Sequence, residues 1–139
     1  MIGSHCVRTW SKSQATIALS SAEAELIALV KATCEGIGIG SLMQDLNLVY
    51  KLQVYADASA ALGVIGRRGI GKIRHLDTSM LWIQQKELQK SVDFLKVDGV
   101  INPADLMTKH LGAPTAKTHV DTLGITELRG RAEKAANLR

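Results

Sequence analysis

Aromatic residues are scarce in this chain. One Phe, two Trp and two Tyr amount to 4% of its 139 residues. A protein that grips nucleic acid by stacking bases on aromatic platforms needs more of them, so that mode of binding is not expected. Cysteine is equally sparse. Cys6 and Cys34 fit neither a metal-ligand spacing nor a disulfide framework, which points to a reducing, intracellular setting, cytoplasmic or nuclear. No uninterrupted apolar run reaches the roughly 18 residues of a membrane span. Gly3, Ser4, His5 and Arg8 also break any signal-peptide pattern. No membrane partner is expected.

What is present is a globular composition. Hydrophobic residues make up 46% of the chain, and the length suits one domain with a sizeable core. The net charge of +4 permits a polyanionic partner, and it equally suits a mildly basic soluble protein. Residues 1–125 are assigned to the domain and 126–139 to a basic, disordered tail.

The element order follows from local pattern. Gly3-Ser4 signals a turn, and His5 to Ser11 alternates loosely as a strand. The chain thus starts as if within a hairpin, which suggests truncation at the amino end. Ser20 offers an N-cap with Glu23 placed for a capping box. Leu26, Leu29, Val30, Thr33 and Ile37 follow at helical spacing, predicting one helix from Ser21 to about Leu46, with a kink near Gly36, Gly38 and Gly40. A buried strand is expected over Leu52–Ala56, a short helix over Ser59–Ile65, a glycine-rich basic loop over Gly66–Lys72 and a helix over Arg74–Gln89. In that last helix Leu76, Met80, Ile83 and Leu88 share a stripe and Trp82 is expected in the core. A strand over Val92–Val97 ends at the Asp98-Gly99 turn, and Asn102-Pro103 opens a helix that carries Asp105. Gly112-Ala113-Pro114 is read as a break into the polar tail. Strands alternating with helices argue for an α/β fold with a parallel sheet.

Three carboxylates stand in settings that could aim them at one point. Glu25 lies early in a helix, Asp57 directly follows a strand, and Asp105 lies in a first helical turn. Converging carboxylates suit a two-metal phosphodiester site, where two Mg²⁺ ions about 4 Å apart clamp the attacking and leaving oxygens. Each also has a plainer reading. Glu23 and Glu25 point about 200° apart on a helix and both suit its positive end. Asp57 could cap the helix after it, and Asp105 could answer a helix dipole.

The basic loop Gly66-Arg67-Arg68-Gly69-Ile70-Gly71-Lys72 nearly matches a phosphate-binding P-loop. Ile73 stands where Ser or Thr would bind Mg²⁺, and a helix-like segment precedes it where a strand is required. No nucleotide is expected there. Arg67, Arg68, Lys72 and Arg74 suit contact with a nucleic-acid backbone, or a solvated connector. His5, His75, His110 and His119 need no special role.

The wording around the carboxylates resembles a known family. Ser20-Ser21-Ala22-Glu23-Ala24-Glu25-Leu26-Ile27-Ala28-Leu29 is similar to the helix signature of ribonuclease H domains from copia-type LTR retrotransposons. Val54-Tyr55-Ala56-Asp57-Ala58-Ser59-Ala60-Ala61-Leu62 resembles their strand-Asp-helix segment, and Arg74-His75-Leu76-Asp77 their "Lys-His-Ile-Asp" helix start. Ala104-Asp105-Leu106-Met107-Thr108-Lys109-His110-Leu111 resembles their "Ala-Asp-Ile-Leu-Thr-Lys-Pro-Leu" ending, and Trp10 to Gln14 fits their strand ahead of the helix. The motifs occur in order between about residues 5 and 125.

That resemblance implies a ribonuclease H-like α/β fold, a mixed sheet with flanking helices. It implies that Glu25, Asp57 and Asp105 are the catalytic and metal-holding acids, with Mg²⁺ or Mn²⁺ as cofactor. The implied substrate is an RNA–DNA hybrid, and the implied neighbour is the upstream reverse transcriptase part of the same polyprotein. The family's first catalytic Asp lies on an opening strand that this chain does not contain. Its absence implies weakened catalysis and two unpaired sheet edges. The Asp98–Asn102 loop also lacks the His some ribonucleases H carry there. A non-catalytic nucleic-acid-binding remnant is the alternative.

Overall fold

A computed structural model describes residues 1–71, 78–106 and 108–126. The chain separates into two compact units, one over Ser13–Val100 and the other joining Met1–Lys12 to the segment from Ile101 onward. The expected Arg74–Asp77 helix start, Lys72 and the tail from residue 127 lie outside the described residues.

The larger unit is built on α1, Ser21–Asp45. Its start is the capping arrangement the sequence promised, with one change of partner. Ser20 Oγ accepts a hydrogen bond from Glu23 N at 3.2 Å, and Glu23 Oε2 accepts from Leu19 N at 2.7 Å, one residue before the cap. As expected, one helix runs through its three glycines. The reason lies in what returns beside them. The chain turns at Asn47, whose φ is +56°, and Tyr50 and Leu52 pass against the helix where Gly40 and Gly36 carry no side chain. A Cβ at Gly36 would sit 2.7 Å from Leu52 Cδ1, and one at Gly40 would collide with the hydroxyl-bearing edge of the Tyr50 ring. By length and composition α1 could cross a membrane, a test that core helices also pass. Here Leu26, Leu29 and Thr33 are buried.

β1, Gln53–Ala56, and α2, Ser59–Ile65, follow as expected. β1 buries Val54 and Ala56 and exposes Gln53 and Tyr55, so it is half-buried, not enclosed on both faces. A short 3-10 turn over Thr78–Leu81 leads into α3, Trp82–Leu88. Within the expected stripe, Ile83 is buried and Met80 packs against the core, but Leu88 is 62% exposed. Trp82 is only partly buried and lies beside Lys86, whose Nζ is 5.9 Å from the ring centroid. It is not the core residue expected. β2, Asp93–Lys96, pairs parallel with β1, Gln53 opposite Asp93 and Ala56 opposite Lys96. Leu26, Leu29, Val54, Ala56, Ala61, Val64, Ile65, Ile83 and Val92 form the core between the helices and this sheet.

The general α/β reading therefore stands, but the mixed sheet does not appear. Among the described residues the sheet has two parallel strands. The expected strand over His5–Ser11 does not form. Ile2 and His5 close one antiparallel bridge around Gly3, with N–H···O distances of 2.9 and 3.1 Å, and residues 6–12 adopt no regular structure. A strand satisfies its backbone only through a ladder partner, and alternation alone does not supply one.

The smaller unit also departs from expectation. Asn102 Oδ1 does accept from Ala104 N at 3.2 Å, but the helix it caps is a single 3-10 turn, Pro103–Asp105, ended by extended backbone at Leu106. Where the sequence reading placed a break and a tail, Ala113–Thr122 forms α4, with Pro114 in its first turn and Gly124, at φ +65°, just past its end. His119 of α4 is buried, and its Nδ1 has no hydrogen-bond partner among the described residues.

Candidate functional site

Asp57 directly follows β1, at the carboxyl end of the parallel pair, where α/β sheets gather their functional groups. It is half-buried. It does not cap the next helix, because Ala58 occupies the N-cap of α2 and no side chain bonds there. Among the described residues nothing hydrogen-bonds or ion-pairs its carboxylate. Lys96, the last residue of β2, donates from Nζ to the Asp57 carbonyl oxygen, tying the two strand ends together. Gly99 passes beside the carboxylate, since a Cβ there would lie 3.7 Å from Asp57 Oδ2. Asp98 Oδ1 meanwhile holds that turn by accepting from Val100 N at 3.0 Å.

The two acids at the head of α1 are sorted by their surroundings. Glu23 is buried and committed to the helix start, whereas Glu25 is exposed. Asp105 belongs to the smaller unit and is differently engaged. Lys109 Nζ lies 2.8 Å from its Oδ1 and 2.9 Å from its Oδ2, with the Asp105 side chain only 14% exposed. A cation supplied by the chain itself thus already faces that carboxylate.

These donors have the right chemistry for Mg²⁺ or Mn²⁺, which take hard oxygen ligands. Among the described residues no three His, Cys, Asp or Glu side chains gather at a spacing that could hold a metal ion. Asp57 is open, Glu25 is exposed and Asp105 is ion-paired with Lys109.

The basic loop is ordered from within. Arg67 Nη2 donates to Ile70 O at 2.6 Å, and its guanidinium lies over Gly71, at φ +63°, where any Cβ would collide with it. Arg67 is thereby turned inward as a brace. Arg68 is exposed. Gln84 of α3 donates from Nε2 to Val64 O at 2.7 Å and Gly69 O at 3.0 Å, and its Oε1 accepts from Gly69 N at 2.9 Å. Sequence reasoning missed Gln84, because a polar residue on a short amphipathic helix looks like an ordinary solvated position. It also missed Lys96 and Gly99 as neighbours of Asp57, since only the parallel register brings them there. The loop and α3 border an open groove of about 450 Å³ that also takes in Lys90. The Glu87 carboxylate, hydrogen-bonded to Lys90, holds the Lys90 ammonium pKa above its ordinary value. The segment before the loop is α2, a helix, which departs from the strand a P-loop requires.

Compared with known proteins, the chain is a relative of retrovirus-related Pol polyproteins. It is 34% identical over 101 residues to the retrovirus-related Pol polyprotein from transposon TNT 1-94 of Nicotiana tabacum, an alignment that takes in 71% of this chain. The chain spans 8% of that polyprotein's length. No protein-family profile matches the chain, and no solved structure matches it.

Proposed function

We propose that this chain is a ribonuclease H-like segment of a retrotransposon Pol polyprotein. Within the polyprotein, its role is metal-dependent cleavage of RNA in RNA–DNA hybrids, and by itself the chain is impaired in that reaction. The observation that carries the reading is Asp57, an open carboxylate at the carboxyl end of a parallel strand pair. It stands within a stretch worded like the family's strand-Asp-helix segment, in a chain related to a Pol polyprotein. Glu25 and Asp105 are the other two acids assigned to the site. Impairment is supported by the Lys109 ammonium, which already faces the Asp105 carboxylate. Two Mg²⁺ ions, when bound, would activate water and stabilise the leaving oxygen.

The test is cleavage of a labelled RNA–DNA hybrid by the chain in Mg²⁺ and then Mn²⁺, beside Asp57→Asn. The expected outcome is no cutting above that control. Robust cutting that Asp57→Asn abolishes would refute the impairment. Binding of the hybrid without cutting is the outcome that favours the non-catalytic role, and Asp57→Asn should leave that binding intact.

A further inference from the structure

We infer that Gln84 is a positioning residue that presets the loop Gly66–Gly71 so that Arg68 meets a phosphodiester of a bound nucleic-acid strand. The inference rests on the nucleic-acid reading above and adds to it the part that makes the contact. A flexible glycine-rich loop is a poor phosphate ligand, because ordering it on binding costs backbone conformational entropy. Here that ordering is already done. The Gln84 amide satisfies both the N–H and the C=O of Gly69, the residue directly after Arg68, and ties the same point to Val64 at the end of α2. A primary amide suits this task, since one side offers an acceptor and the other donates two hydrogens.

Arg67 completes the brace from the loop side through Ile70 O, and Gly71 leaves the space its guanidinium fills. The two adjacent arginines are therefore not equivalent. Arg67 is spent on the loop's own structure. Arg68 is exposed at the loop's apex and has no ion pair among the described residues. Gly69, at φ +76°, gives the apex its turn. The Lys90 ammonium borders the same groove. An exposed guanidinium on a fixed loop can donate two hydrogen bonds to a phosphate without reading sequence.

The test is a double-mutant cycle on the full chain, read as affinity for a labelled RNA–DNA hybrid at several salt concentrations. Gln84→Met keeps the side-chain length and removes all of its hydrogen bonds. Arg68→Ala should weaken binding several-fold and reduce the salt slope by about one. Gln84→Met should weaken binding by a similar factor, and adding it to Arg68→Ala should weaken binding no further, because it acts through Arg68. Full additivity of the two would overturn the inference, since a general loss of stability would act in both backgrounds. So would a Gln84→Met chain that binds like the parent. Undetectable binding by the parent chain at low salt would overturn both this inference and the nucleic-acid reading, whereas normal parent binding untouched by Gln84→Met overturns the inference alone.

Discussion

Two glycines of α1, Gly38 and Gly40, offer a test in which the same substitution should have opposite signs two residues apart. Gly38 is exposed, and a Cβ there would meet nothing within 4 Å. Gly38→Ala should therefore stabilise the fold by about 1 kcal/mol, the helix-propensity difference between the two residues. Gly40→Ala gains the same term but drives a methyl into the Tyr50 ring. Tyr50 is 37% exposed, so its ring has somewhere to go, and the cost is the packing it leaves behind. An aromatic side chain buries about 150–250 Å². At about 25 cal/mol per Å², losing half of that costs roughly 2 kcal/mol. The net effect should be a destabilisation of about 1 kcal/mol. Urea unfolding followed by circular dichroism, with wild type and both variants side by side, reads these differences directly. In a Tyr50→Ala background the collision is gone, and Gly40→Ala should turn stabilising by about 1 kcal/mol. Equal shifts for Gly38→Ala and Gly40→Ala in the parent chain would refute the reasoning, as would a Gly40→Ala penalty that survives in Tyr50→Ala.

Two further substitutions probe the core and the helix start. Ile83 is fully buried among α1, α2 and the sheet, so Ile83→Ala should cost about 2–5 kcal/mol and lower the thermal midpoint markedly. Ser20→Ala removes the acceptor for Glu23 N and should cost about 1 kcal/mol in the same melt. Ser20→Gly should cost only a few tenths.

Much of the larger unit was legible because it is locally determined. Ser20 with Glu23 marks a helix start through hydrogen bonds that span three or four residues. Ser59–Ile65 lies between a strand and a glycine, and forms the helix expected there. The misread segments depend on something beyond the local pattern. Cys6, Val7 and Trp10 alternate as a strand should, but a strand exists only if another chain segment pairs with it. Pro114 after Gly112 reads as a breaker, although proline in a first turn begins a helix as readily as it ends one. Asn102-Pro103 correctly announced a capped turn, but a good start does not supply the packing that would prolong it past Asp105.

The candidate acids divide in the same way. Periodicity alone left Glu23 and Glu25 open as opposite faces of one helix. The capping bonds and burial of Glu23 then separated them. Asp57 after an apolar strand was visible in the sequence. That it leaves its helix uncapped, accepts Lys96 at its backbone and faces Gly99 required the parallel register of β1 and β2. The basic loop was visible as composition, but composition could not tell Arg67 from Arg68. The start of α1, the apolar character of β1 and the identity of the acids and bases that could act were thus readable from neighbouring residues alone. Which of those groups are already bonded to another part of the chain, and which are left facing out, came from the tertiary structure alone, because a hydrogen-bond partner 39 residues away leaves no mark on the local pattern.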